Sequence, residues 1–306
     1  LIGEKMDNNL DNNPFPDSPV MPTLYEGSKA INFRCHREIA CWNACCSNID
    51  ISLTPYDVLR LKQRLEISSG EFLNTYTVPY EIEKDSLAGV KLRPVENGTA
   101  CRFMTPEGCG VYSDRPTACR YYPVALLSIR KQDEYTDQNS YALVQEAHCQ
   151  GHQDPRTITI NDYRIEQGLP EYDELARGWR QLILKKKSSG PSIGKPSKRS
   201  LQLFFMACYD LDRFREFVAS DGFTALFDLP AEELLKILSD DLHLMEFSFR
   251  FLRQTLFGEM SIAVHAETAE KRMERQSARN LRLEREAAER MERDEDSGFD
   301  DECSPH

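Results

Sequence analysis

No stretch of this sequence approaches the ~20 consecutive apolar residues that a bilayer-spanning helix needs. The longest apolar run, Tyr121 to Ile129, has the length of a strand. A glycine-rich loop of the G-x-G-x-x-G kind is also missing, which removes the usual fingerprint of a bound dinucleotide. Positive charge is in short supply: 38 lysines and arginines face 50 aspartates and glutamates, a formal net charge of -12. That balance argues against nucleic acid and anionic membrane as partners and says nothing about fold. Leu1 to Pro22 is polar and proline-containing, without the apolar centre of a secretory signal. These absences lead to the expectation of a cytoplasmic protein, in which thiols stay reduced and dense cysteine means metal or redox chemistry rather than disulfides.

Cysteine is what the sequence has in a dense group. Eight of the ten lie between positions 35 and 149: Cys35, Cys41, Cys45, Cys46, Cys101, Cys109, Cys119 and Cys149. We read these eight as one framework of metal ligands. Adjacent Cys45 and Cys46 are poor disulfide partners for each other, but one can point into one metal site and its neighbour into a second. Cys41 and Cys45 can reach one ion if the segment between them curls. Cys101 and Cys109 straddle a glycine turn that can fold one thiolate back towards another. Four thiolates complete a zinc site or one iron–sulfur cluster, and eight complete two such sites or one with a remainder.

A second hint lies in Asp114-Arg115-Pro116-Thr117-Ala118-Cys119-Arg120. With Asp114 as N-cap and Pro116 in the first turn, Cys119 falls near the positive end of a helix, which favours its thiolate. Arg115 and Arg120 then supply N–H donors and positive charge around the sulfurs of a bound cofactor. Blander readings compete. Cys208 and Cys303 stand apart and read as buried or free thiols. His36, His148 and His152 each neighbour a cysteine, yet a hydrogen-bonding role accounts for them more simply than ligation, with His148 and His152 the better alternates. Trp42 is expected to pack over the site, and Tyr112, Tyr121 and Tyr122 to lie in the core.

The expected fold class is α+β: a small cysteine-rich metal-binding domain with short strands and capped helices, followed by a helical module and a charged C-terminal helix. The expected boundaries are a disordered segment over 1–30, the cysteine-cluster domain over 31–187, a linker over 188–200 rich in Ser, Gly, Pro and Lys, the helical module over 201–260, and the charged helix with its acidic tail over 261–306. Thr54-Pro55-Tyr56-Asp57 opens a helix, as do Ser68 and Glu71. Val90 to Val95 reads as a strand, Asn97-Gly98 as a tight turn, and Cys101 to Met104 as the return strand. Tyr121–Ile129 and Tyr141–Gln145 read as a second strand pair, with helices around 161–167 and 172–187. Beyond the linker come amphipathic segments near 201–219 and 230–257, then a solvated helix over 266–293.

At these residues the chain resembles the YkgJ-type cysteine-cluster family, also described as CxxCxxCC or a zinc- or iron-chelating domain. The resemblance rests on Phe33-x-Cys35, Cys41-x3-Cys45-Cys46, Cys101-Arg102-Phe103, Cys109-x-Val111-Tyr112, Arg115-Pro116-x-x-Cys119-Arg120-x-x-Pro123 and Cys149, and spans about residues 33–152. The step from Cys35 to Cys41 is wider than the compact motif of the family name. The resemblance implies bound zinc or iron, often as an iron–sulfur cluster, and some relatives are linked to flagellin lysine N-methylation. The Cys-x3-Cys-x2-Cys spacing of radical-SAM-like sites fails here, because Asn48 stands at its third position.

Three uses of such a centre follow. One is a metal- or cluster-binding protein in redox or electron transfer. Another is a cluster-dependent enzyme resembling flagellin lysine N-methylase, for which Asp57, Glu107 and Asp114 are only nominal catalytic groups. The third is a zinc-stabilised scaffold that binds a protein partner through its helical module or C-terminal helix.

Overall fold

In the computed structural model the described residues are 20, 23–82, 87–129, 138–188 and 197–266, with scattered positions between 270 and 286. Most of the expected disordered segment, the centre of the linker, much of the charged helix, the acidic tail and Cys303 lie outside the described residues.

Helix α1 (Pro55–Leu65) starts on the predicted signal. The Thr54 hydroxyl accepts from the Asp57 N–H at 3.1 Å, and the Asp57 carboxylate accepts from the Thr54 N–H at 2.8 Å. Helix α2 (Ser69–Tyr76) is capped by Ser68, whose hydroxyl accepts from Glu71 N–H at 3.1 Å. It runs into β3 (Thr77–Glu81), which pairs antiparallel with β4 (Ala88–Leu92), while β2 (Ser52–Leu53) takes the other edge of β4.

The Asn97-Gly98 turn is present. Asn97 adopts φ 57°, Gly98 N–H reaches the Val95 carbonyl at 3.2 Å, and Val95 N–H reaches that of Ala100 at 2.9 Å. The return strand expected over Cys101–Met104 does not extend, and only Pro94 pairs with Cys101. Both edges of β4 are already taken, so no row of backbone donors and acceptors is left there to accept another strand. The chain turns instead into a small hairpin of β5 (Met104–Thr105) and β6 (Gly108–Cys109).

Helix α3 (Thr117–Tyr121) keeps Tyr121, so β7 (Val124–Ile129) begins later than expected and pairs with β8 (Gln138–Leu143). Strand β9 (Thr157–Thr159) returns to pair with β1 (Ala30–Asn32), and Thr159 caps α4 (Ile160–Glu166), which is followed by α5 (Leu169–Ser188). Each of the two later amphipathic segments divides at an aspartate. The first becomes α6 (Lys198–Tyr209) and α7 (Leu211–Val218) around Asp210, followed by the short α8 (Asp221–Thr224). The second becomes α9 (Ala231–Ser239) and α10 (Asp241–Phe257) around Asp240, whose side chain accepts from His243 N–H at 2.8 Å. Asp240 offers the backbone this alternative bond and so breaks a helix that apolar spacing alone would continue, whereas Asp210 makes no such cap and accepts from the Ser69 hydroxyl at 2.6 Å.

Two apolar cores result. The larger takes in Leu53, Leu59 and Leu61, the sheet residues Val90 and Leu92, Phe103 and Val111, and the helical residues Leu182, Phe204, Phe214, Phe223, Leu244 and Phe251. The smaller gathers Ile31, Phe33, Tyr121, Val124, Tyr141, Ile160, Tyr163 and Leu169. Cys208 is fully buried in the larger core, the structural role expected of it. Ser69 and Asp212 knit α2 to α7 reciprocally: Ser69 N–H donates to the Asp212 carboxylate at 2.6 Å, and Asp212 N–H donates to the Ser69 hydroxyl at 3.1 Å.

Asp114 does not cap α3 as expected. It lies in a 3-10 turn over Tyr112–Asp114 and accepts from Arg60 Nε at 3.0 Å and from the Ser113 hydroxyl at 2.6 Å. The start of α3 is held by Asp57, which is fully buried and accepts from both Thr117 N–H (2.8 Å) and the Thr117 hydroxyl (2.7 Å). One carboxylate therefore serves two helix starts, those of α1 and α3. Burial pushes its carboxyl up, and the bonds from Thr54 and Thr117 oppose that rise. Asp57→Ala is expected to destabilise the chain by about 3 kcal/mol, from two lost caps and at least one buried donor left unpaired. Asp57→Asn, which keeps one acceptor oxygen, should lose less. Urea unfolding midpoints of the two variants check the order, and equal midpoints would contradict it.

Candidate metal centre

The first cysteine loop is built from turns. After β1, Phe33 N–H reaches the Arg156 carbonyl at 3.2 Å and Arg34 N–H reaches that of Gly151 at 3.1 Å. The chain then curls through bonds from Ile39 to His36, Trp42 to Ile39, Ala44 to Cys41 and Cys46 to Asn43, ending in a 3-10 turn over Ala44–Cys46. This is the curl that the Cys41–Cys45 spacing required. No residue from Arg34 to Ser52 is buried, so the loop has no apolar core of its own. It is held at its edges: Asn43 Nδ2 donates to the Thr105 carbonyl at 3.1 Å, Cys101 N–H to that of Cys46 at 2.8 Å, and Ile49 N–H to that of Thr99 at 2.9 Å.

The hairpin supplies Cys109, and Cys101 lies just before it. Gly108 has φ +124°, a conformation side chains rarely adopt, and a Cβ there would come within 2.9 Å of the Trp42 ring. Trp42 thus packs between the first loop and the hairpin. Cys119 sits in the first turn of α3, the most firmly anchored of the cysteine-bearing elements. Besides the Asp57 bonds, Tyr121 donates to Asp173 at 2.7 Å, and Arg120 binds the carbonyls of Arg115 (3.0 Å), Gln167 (2.7 Å) and Ser113 (2.5 Å) and the Tyr172 hydroxyl (3.0 Å). These donors of Arg120 go to protein oxygens rather than to sulfur, so the side chain clamps α3 to α5.

Cys149 lies in the turn before a second short 3-10 segment, Gly151–Gln153. A Cβ on Gly151 would meet Phe33 Cε2 at 2.6 Å, so the absence of a side chain lets Phe33 close against this turn and bring Cys35 towards Cys149. The neighbouring Gln150 N–H donates to Cys41 Sγ at 3.3 Å. The flanking histidines have protein partners: His152 Nε2 meets the Val144 carbonyl at 3.0 Å, His148 lies 3.5 Å from Glu146, and His36 lies 4.0 Å from Asp154. Tyr121 is in the smaller core and Tyr122 packs against it, but Tyr112 is 57% exposed, contrary to expectation, and carries the Arg115 guanidinium over its ring at 4.4 Å.

The thiols act on one another throughout the group. Cys35, although exposed, is raised to about 11, first by partial loss of solvent around its sulfur and then by the charges of Cys45, Cys41 and Cys149. Cys45 is drawn down to about 7, chiefly because the Cys46 thiol donates to it, and Cys46 is pushed far up by the same bond. Burial raises Cys101 against the N–H groups of Phe103 and Met104, and raises Cys109 against that of Val111. Cys119 is also raised, by burial and then by Cys101, so the helix end does not produce the expected thiolate in the metal-free chain. The Arg115 charge opposes these rises at Cys35, Cys109 and Cys119 and favours the Cys45 thiolate. Its side chain is held by Gln167 Oε1, while its buried Nε has no hydrogen-bond partner.

In the reduced, metal-free chain Cys45 should therefore be the first of the eight to react with iodoacetamide. The thiolate is the nucleophile, so its rate should rise with pH through half-maximum near 7, while Cys46 and Cys119 lag to far more alkaline pH. Site-resolved mass spectrometry reads the order, and uniform labelling of all eight would contradict it.

All nine described cysteines are free thiols. Among the described residues no group of three or more His, Cys, Asp or Glu side chains is gathered closely enough to hold an ion. The arrangement is a set of neighbouring thiols rather than a closed coordination shell. The donor chemistry fits zinc or iron–sulfur, since thiolates select such metals and not hard cations such as magnesium or calcium. No curated protein and no solved structure matches the chain. Residues 34–151 match the model of the family CxxCxxCC, described as "Putative zinc- or iron-chelating domain". This span takes in every cysteine of the network, from Cys35 to Cys149, and over it the chain is similar to that family.

Proposed function

We propose that this chain is a cytoplasmic metal-binding protein that holds an iron–sulfur cluster or zinc through its eight cysteines and serves in redox or electron transfer. The observation that carries this reading is the joining of the cysteine-bearing segments, with Cys101 N–H on the Cys46 carbonyl at 2.8 Å and Gln150 N–H on Cys41 Sγ at 3.3 Å. Cys35, Cys41, Cys45, Cys46, Cys101, Cys109, Cys119 and Cys149 would hold the metal. A backbone N–H already aims at sulfur, from Gln150 to Cys41 at 3.3 Å. Such donors stabilise anionic sulfur and tune the potential of a cluster. Cys35 and Cys45 are exposed, which leaves one side of the centre open to an electron-transfer partner. When bound, an iron–sulfur cluster supplies one-electron chemistry and zinc supplies a fixed tetrahedral crosslink.

The zinc-stabilised scaffold is the second reading, favoured by one observation: no residue from Arg34 to Ser52 is buried. Metal binding would then supply folding energy that this loop lacks. The enzyme reading gains no comparable support. Asp57 and Asp114 are committed to structural hydrogen bonds, and Glu107 is exposed.

Anaerobic purification followed by iron, zinc and acid-labile sulfide analysis tests the proposal. Redox use predicts iron with sulfide and a visible absorption that dithionite bleaches. The scaffold reading predicts colourless zinc protein whose Tm drops on chelation. A chain that retains neither metal would refute both.

A further inference from the structure

We infer that the cleft between α1 and the α9–α10 junction binds a basic amino acid, holding an ammonium or guanidinium group at each end and a carboxylate on Arg60 between them.

The cleft is a cavity of about 410 Å³, lined by Tyr56, Arg60 and Gln63 of α1, Glu171 of α5, and residues 239–242 where α9 meets α10. That volume is in the range of small-molecule sites, and no described cysteine lines it. Tyr56, Arg60 and Gln63 follow at spacings of four and three residues, so they form one row on the helix, about 10 Å long. Bonds across the cleft fix what stands at each end of the row. The Tyr56 hydroxyl donates to Glu171 Oε1 at 2.5 Å. Gln63 Nε2 donates to Asp241 Oδ2 at 3.0 Å, which sets Asp240 and Asp241 at the other end. Arg60 lies between.

These polar groups are oriented before any ligand arrives, so little ordering is left for binding to cost. Glu171 is exposed, yet its carboxylate is pinned by the hydroxyl of Tyr56, a side chain only 1% exposed. Arg60 gives Nε and Nη2 to Asp114 Oδ1, at 3.0 and 2.5 Å. Asp240 Oδ1 accepts from His243 N–H at 2.8 Å. Among the described residues Glu171 Oε2, Arg60 Nη1 and Gln63 Oε1 make no hydrogen bond.

Charge then selects the ligand. Asp241 is neutralised by Arg215 and by Lys62, whose Nζ lies 3.3 Å away. Glu171 is bonded by a neutral hydroxyl rather than by a cation. Asp240 meets the imidazole of His243 at 2.9 Å, a cation only when protonated. Each end of the cleft therefore offers a carboxylate to a cation, and Arg60 Nη1 offers donors to an anionic oxygen between them. Two cations joined by methylenes, with one carboxylate, describe a basic amino acid. Leu242, left 37% exposed, gives the methylenes an apolar surface.

Calorimetric titration of the full-length chain tests this with L-ornithine and two analogues: putrescine, which lacks the carboxylate, and L-norvaline, which lacks the side-chain amine. Ornithine is expected to bind at one site per chain, and each analogue about tenfold more weakly, the cost of one charge-assisted bond. Glu171→Gln and Asp240→Asn keep acceptor oxygens for Tyr56 and His243 and should each weaken ornithine about tenfold. Glu174→Gln removes an exposed charge one turn along α5, where it pairs with Arg177, and should leave binding unchanged. If a variant fails to fold, the three compounds on the parent chain decide alone. Absence of saturable ornithine binding at millimolar concentration, or unchanged affinity in Glu171→Gln, would overturn the site. Putrescine binding as tightly as ornithine would overturn the assignment of a carboxylate to Arg60, and an equal loss in Glu174→Gln would trace binding to general surface charge and overturn the site as well.

Discussion

A buried carboxylate joins the cysteine region to the helical core. Asp57 has no exposed surface, and its two oxygens accept hydrogen bonds from Thr54 and Thr117. A charged group so far from water is tolerable only when its lone pairs are met by donors, and helix starts supply unpaired N–H groups in the right direction. The start of α1, the start of α3, and through α3 the position of Cys119 all depend on this side chain. Asp114 forms a parallel tie: burial pushes its carboxyl up, but the Ser113 hydroxyl and Arg60 outweigh burial and hold it below the usual range.

The cysteine-bearing elements are unequal in support, and that inequality bears on function. The region around Cys119 has a scaffold before any metal arrives. Arg120 spans three carbonyls and a tyrosine hydroxyl, and its guanidinium lies 4.1 Å from the Tyr172 ring centroid. The Cys35–Cys46 loop has turns and edge bonds but no buried side chain. A metal ligand on a rigid element needs little ordering on binding, whereas one on a loop without buried side chains would need more.

The two arginines that flank Cys119 in sequence have divergent roles. Arg120 is buried, and its donors meet protein oxygens, so it sets the geometry of the polypeptide. Arg115 is anchored by Gln167 and Tyr112 while its charge bears on four of the cysteines. A fixed cation among thiols offsets part of the repulsion that accumulates as they ionise, which is the condition any thiolate-bound metal imposes.

By itself the sequence determined what depends on near neighbours. The α1 cap at Thr54 and Asp57, the α2 cap at Ser68, the left-handed Asn97 turn and the grouping of eight cysteines are all legible, because capping and turn chemistry act over three or four residues. The break at Asp240 carries the same kind of local signal, whereas the carboxylate of Asp210 caps no helix and meets Ser69 across 141 positions. Tertiary structure decided the rest. Asp57 meets Thr117 across 60 positions and Arg120 meets Gln167 across 47, contacts that no spacing rule encodes. The loss of the expected return strand depended on β2 and β3 having already occupied both edges of β4. The approach of the Cys149 turn to the first loop was settled by Phe33 closing on Gly151, and that of Cys101 to Cys46 by the bond between their backbones. A sequence displays the donors available to a metal, but their distribution in space follows from chain closure around two separate cores.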